Sequence, residues 1–209
     1  MKALLKLKIA LQDLPHKCER TLLVPDDINM RQLHFIIQES FGWFNAHLFE
    51  FKDAKWKSNI SVGMPDHVDM EWIGPPKQDA HKVKLKQTFL KENNVKAFWY
   101  WYDFGDDWWH KISFLKVSQS DLRNYKGIPM CIKAEGKCPP EDIGGPWGYA
   151  DFLDAIKDKE HPEHYEYKEW CGLEEDVYDE NVVEKEKINT LLKKFHSSKE
   201  WKARTYVLY

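Results

Sequence analysis

LLKLKIAL (residues 4–11) decides the fold class. Leu5, Leu7, Ile9 and Leu11 alternate with Lys6, Lys8 and Ala10, a period of two that sets one strand face on a core and the other in solvent. Pro15 and His16 then supply a turn, and Arg20 to Val24 make a second strand, so the chain opens as a hairpin. Asn29 stands at an N-cap with Gln32 at the capping-box position. Leu33, Ile36, Ile37 and Phe41 form a helical apolar stripe, and Gly42 suits the left-handed residue that ends a helix. His47 to Phe51 predicts a third strand. The order β-β-α-β is also how β-grasp domains begin, an analogy of element order only.

Working outward, Phe98 to Val117 predicts a hairpin. FWYWY is β-prone, FGDD supplies the turn, and Trp108, His110, Ile112 and Phe114 share the face opposite Trp109, Lys111 and Ser113. These elements predict an α+β fold, a mixed and mostly antiparallel sheet of about five strands packed with helices. Residues from about 52 to 94 form a variable connection with short strands, anchors at Trp56, Val62, Trp72 and Ile73, and a helical turn near Leu85 to Leu90. A Pro/Gly-rich loop runs from Gly127 to Gly148, followed by a helix at about Tyr149 to Lys157. Pro162 suits the first turn of another helix ending near Cys171-Gly172. The 177–209 segment carries a last helix with Val183, Ile188, Leu191, Leu192 and Phe195, then a basic, aromatic tail, loose or an edge strand. All 209 residues are expected in one domain without internal repeats.

Composition narrows the function classes. Lys and Arg total 31 against 34 Asp and Glu, a net charge of -3, which argues against the basic footprint that phosphate contacts demand. The apolar residues at the N-terminus are interrupted by lysines, unlike a signal peptide, and no stretch approaches a membrane span. Four cysteines are too few for a disulfide-stapled scaffold, so free thiols in the cytoplasm are expected.

Three constellations carry candidate chemistry. Asp103, Asp106, Asp107 and His110 crowd one turn, where carboxylates and an imidazole suit a divalent metal or acid–base work. If the rigid loop Cys138-Pro139-Pro140-Glu141-Asp142 packs beside that turn, Glu141 and Asp142 join the same acidic pocket. The bland alternative is a hairpin turn rich in Asp and Gly for backbone reasons, with His110 a hydrogen-bonded core residue on the strand face of Trp108 and Ile112. Cys131, Cys138, His161 and His164 offer thiolate and imidazole ligands for Zn, although the cysteine spacing departs from the common knuckles. Trp108, Trp109 and Trp147 offer an aromatic surface for bases or an apolar partner, with core packing as the alternative.

YDFGDDWWH (102–110) and PMCIKAEGKCPPEDIGGPWGYADFL (129–153) resemble the two signature segments of the plasmid open-reading-frame-three-like family. HPEH (161–164), YDENVVEKEKINTLL, VPDDINMRQLHFIIQESFGW and HLFEF fall in the same order, so the resemblance spans nearly the whole chain to about Leu192. Cys18, Glu19, Trp109 and Ala134 depart from the family pattern. The resemblance implies a prokaryotic protein associated with plasmids and mobile elements, whose family has no characterised function and includes passenger proteins labelled resolvase-like. The serine and arginine cluster of a recombinase is not seen. Three functions follow as expectations: a non-enzymatic binding or accessory module with a protein or nucleic-acid partner, a metal-dependent, hydrolase-like enzyme using the acidic pocket, or a structural interaction subunit.

Overall fold

The computed structural model describes residues 3–64, 77–173 and 178–203. The chain opens β1 (Leu4–Leu11), β2 (Cys18–Pro25), α1 (Met30–Phe41) and β3 (Phe49–Lys52), the order that the alternation predicts. Asn29 Oδ1 accepts the Gln32 N–H at 2.8 Å and Gln32 Oε1 accepts the Asn29 N–H at 3.0 Å, closing the capping box. Gly42 ends the helix at φ 89°. Two short strands follow, β4 (Ser61–Gly63) and β5 (Gln78–Asp79), then a π-helical stretch at Lys86–Glu92. Next come β6 (Ala97–Tyr102), β7 (Trp108–Leu115), α2 (Gln119–Asn124) and β8 (Met130–Glu135). Among the described residues four helices follow: α3 (Gly145–Lys157), α4 (His164–Trp170), α5 (Lys185–Ser197) and α6 (Lys199–Ala203).

One sheet of eight strands results, in the order β5-β4-β3-β6-β7-β1-β2-β8, which corrects the expectation of about five. Every pairing is antiparallel except β4 with β5. The strand missed among the prolines and glycines is β8, which pairs with β2 through a register shift at Thr21/Leu22. Its outer edge is capped by Asn189 of α5, whose side chain accepts the Cys131 N–H at 2.8 Å and donates to the Cys131 carbonyl at 3.0 Å. An amide side chain thus stands in for a ninth strand. The Trp72 and Ile73 anchors, part of the acidic linker and the end of the tail lie outside the described residues. Among the described residues, no helix is long and apolar enough to cross a membrane.

The core lies on one sheet face under α1. Leu33, Ile36 and Ile37 have no exposed surface, and burying each such side chain contributes about 1.5–3 kcal/mol. They meet a wall of Leu7, Ile9, Phe98, Tyr100 and Ile112, the inward set of the strand alternation. Helix α5 packs on α1, with Phe35 and Phe195 ring centroids 5.2 Å apart. The opposite face carries Trp99, Trp101 and Trp109. Trp109 is nevertheless only 2% exposed, because it stacks on Trp101 at 5.0 Å and lies under Lys52 and Lys55.

Candidate functional site

Tyr102, at the end of β6, organises the region where the signature segments meet. It donates its phenolic hydrogen to Glu141 Oε1 and accepts the N–H groups of Ala46 (3.1 Å) and His47 (3.4 Å). Burial, reinforced by Glu141, raises the phenol well above its ordinary pKa and keeps it a donor. Glu141 Oε2 accepts the Phe44 N–H at 2.5 Å, Gln38 Oε1 accepts the Asn45 N–H at 3.0 Å, and Trp43 Nε1 donates to the Pro139 carbonyl at 3.0 Å. Four consecutive backbone N–H groups, Phe44 to His47, are therefore held by side chains. On this fixed loop the Phe44 ring is 85% exposed.

The turn after β6 lies against the Cys138–Gly145 loop. Asp106 Oδ2 accepts the Gly144 N–H at 3.3 Å, and a Cβ on Gly145 would lie 2.3 Å from the Asp106 carbonyl oxygen, so this approach admits only glycine. Asp103 sits at φ 53°, with Oδ1 accepting the N–H groups of Gly105 (3.0 Å) and Asp106 (3.3 Å). Its Oδ2 turns toward His47, whose Nε2 lies 3.5 Å from it and 3.1 Å from Asp142 Oδ1.

The six acidic-pocket candidates therefore divide. Asp103 and Asp142 converge, while Asp106 and Glu141 hold the two loops together. Asp107 turns away and accepts the Trp109 Nε1–H at 2.8 Å. His110 lies apart from them, because the strand alternation points it into the core among Phe41, Trp43 and Tyr100. It is fully buried, and that burial depresses its pKa to about 3. The histidine that meets the carboxylates is His47, which sequence reasoning missed. Its only signal was its position at the head of HLFEF, more than fifty residues before Asp103.

The Zn candidates Cys131, Cys138, His161 and His164 do not form one group of metal-ligating side chains. Cys131 lies in β8 with its Sγ on the Lys133 carbonyl, and the Cys138 thiol meets Cys18. His161 Nδ1 accepts the Glu163 N–H, and buried His164 bonds the Ala155 carbonyl. Among the described residues the one grouping of three metal-ligating side chains is His47, Asp103 and Asp142. Of the predicted aromatic surface, Trp108 is wholly buried and Trp109 nearly so, because each packs within a face of the sheet. Trp147 is 85% exposed, on the first turn of α3 beside the Asp106–Gly144 clamp. Phe44, Asp142 and half-exposed Trp170 border a groove of about 790 Å³ that runs past Cys138 and Tyr178 to Lys187 on α5.

An α+β fold with an eight-stranded sheet, whose two signature loops are joined beside an acidic and aromatic rim, defines the class. Residues 3–187 match the model of the plasmid pRiA4b ORF-3-like protein family, and the chain belongs to that family. It is 38% identical over 170 residues to the uncharacterized protein y4hQ of Sinorhizobium fredii (strain NBRC 101917 / NGR234), covering 81% of each chain. Its fold is similar to the crystal structure of a protein of unknown function, MM3350, from Methanosarcina mazei Go1. That match has a TM-score of 0.71 and 27% identity, and covers 88% of this chain and 96% of the other.

Proposed function

We propose that this protein is a non-enzymatic binding module whose face is the groove rim around Phe44, Trp170 and Asp142, and that it takes a polypeptide segment carrying apolar and basic side chains. The observation that carries this reading is the fixed display of Phe44. A ring 85% exposed is held on a loop whose four consecutive N–H groups are already bonded to side chains. A rigid aromatic anchor loses little conformational entropy on association, which is how a few such residues come to dominate an interface. Aromatic faces and the Asp142 carboxylate both favour a cationic partner group. The net charge of -3 favours a polypeptide over a phosphate backbone. Association with mobile elements in a prokaryotic cytoplasm belongs to this proposal and is supported by the plasmid origin in the family's description.

The test is selection from a displayed random-peptide library on the purified chain, with single-stranded DNA and RNA titrated in parallel. The reading expects enriched peptides that combine aromatic or aliphatic residues with Lys or Arg. Binding of nucleic acid that weakens steeply with salt, with no peptide enriched, would overturn it.

A further inference from the structure

We propose that His47, Asp103 and Asp142 form a binding site for one divalent first-row cation such as Zn²⁺ or Mn²⁺. Their donor atoms, one imidazole nitrogen and two carboxylate oxygens, lie within 4.8 Å of one another. The separations of 3.1 and 3.5 Å from His47 Nε2 are those of ligands sharing an ion at roughly 2.0–2.2 Å from each. Two carboxylates offset the charge of a divalent ion, and one nitrogen with two oxygens suits the borderline metals. Three protein ligands leave positions open on the solvent side, where the Asp142 side chain is 68% exposed.

The imidazole supplies an independent observation. The His47 side chain is 27% exposed, but its Nε2 is turned inward toward the two carboxylates and makes no hydrogen bond there. A ring nitrogen facing two carboxylate oxygens without a hydrogen bond to either is left unsatisfied, and a cation coordinated by all three would satisfy it. The backbone already fixes the donors. Tyr102 accepts the His47 N–H, and Asp103 Oδ1 is engaged by its own turn, which leaves Oδ2 for a ligand. The three donors come from HLFEF, YDFGDDWWH and CPPED, three separate segments of the family resemblance. This inference shares Asp142 with the peptide-binding proposal but rests on the three donors, not on the peptide.

The experiment is calorimetric titration of the chelator-treated, untagged full chain with Zn²⁺ and, separately, Mn²⁺, followed by cobalt(II) absorption as a spectroscopic readout. One equivalent should bind. His47→Ala and Asp103→Asn should weaken binding by more than the roughly ten- to hundredfold that outer-shell changes cost. Asp142→Asn alters an exposed side chain that folding does not need, so its loss of affinity reports ligation alone. Asp107→Asn, which faces Trp109, should bind as the wild type does. No binding to the wild type, or equal binding to the wild type and Asp142→Asn, would overturn the site. The peptide selection needs no added metal, so either result can fail while the other holds.

Discussion

Tyr102 donates its hydroxyl hydrogen to Glu141, and this bond ties the end of a central strand to the loop that precedes α3. Glu141 is 9% exposed and also accepts the Phe44 N–H, so one carboxylate fixes two loops. Glu141→Ala strands both donors and should cost about 1–3 kcal/mol in urea unfolding. Glu141→Gln keeps one acceptor oxygen and should recover part of that loss. Equal stability of Glu141→Ala and the wild type would contradict the role assigned to the bond.

Gly145 and Gly42 both have positive φ, at 70° and 89°, but differ in surroundings. Nothing lies within 4 Å of a Cβ on Gly42, so Gly42→Ala should cost only the left-handed strain of about 1–2 kcal/mol. Gly145→Ala adds a collision with the Asp106 carbonyl oxygen and should cost measurably more. Thermal unfolding of the two variants side by side checks the order.

His110 and His34 are fully buried, and burial holds both near a pKa of about 3, below the 6.5 of an unfolded histidine. The unfolded chain therefore binds protons that the folded chain refuses as pH falls from about 6.5 toward 3, and stability declines through that window. Above pH 6.5 neither state protonates these rings, and the dependence vanishes. His110→Leu, which fits the surrounding Phe41 and Trp43 rings, should show a shallower decline than the wild type. Denaturant midpoints at pH 7, 5 and 4 measure the difference.

Asn189 is the lid on the β8 edge. Asn189→Ala removes two hydrogen bonds to Cys131, worth about 1–3 kcal/mol together, and bares a strand edge. Sedimentation velocity should then show stronger concentration-dependent self-association than the wild type.

The elements most legible in the sequence were those whose signals are local. The β1 alternation, the Asn29–Gln32 capping box and the Gly42 terminus each depend on neighbours a few residues away, and each stands where the pattern placed it. Strand β8 was hidden because MCIKAE is short and its pairing with β2 and cap from Asn189 are long-range. The site divided in the same way. Asp103 and Asp142 were visible as motif carboxylates, whereas His47 reaches them only through the pairing of β3 with β6. His110 was ambiguous because its place in the motif and its strand face pointed to different surroundings, and the strand face prevails. The tryptophans likewise look alike in sequence, and only the sheet separates buried Trp108 from exposed Trp147.

The proposed face has a rival on the back of the sheet, where Trp56 is 71% exposed beside Lys55. The most direct measurement compares the affinity of one selected peptide for the wild type and for Phe44→Ser, Trp170→Ser and Trp56→Ser. The account predicts that Phe44→Ser and Trp170→Ser each weaken binding by roughly tenfold or more, the effect of losing a hot-spot aromatic, while Trp56→Ser leaves it unchanged. Full affinity in the first two variants, with binding lost in Trp56→Ser, would contradict it.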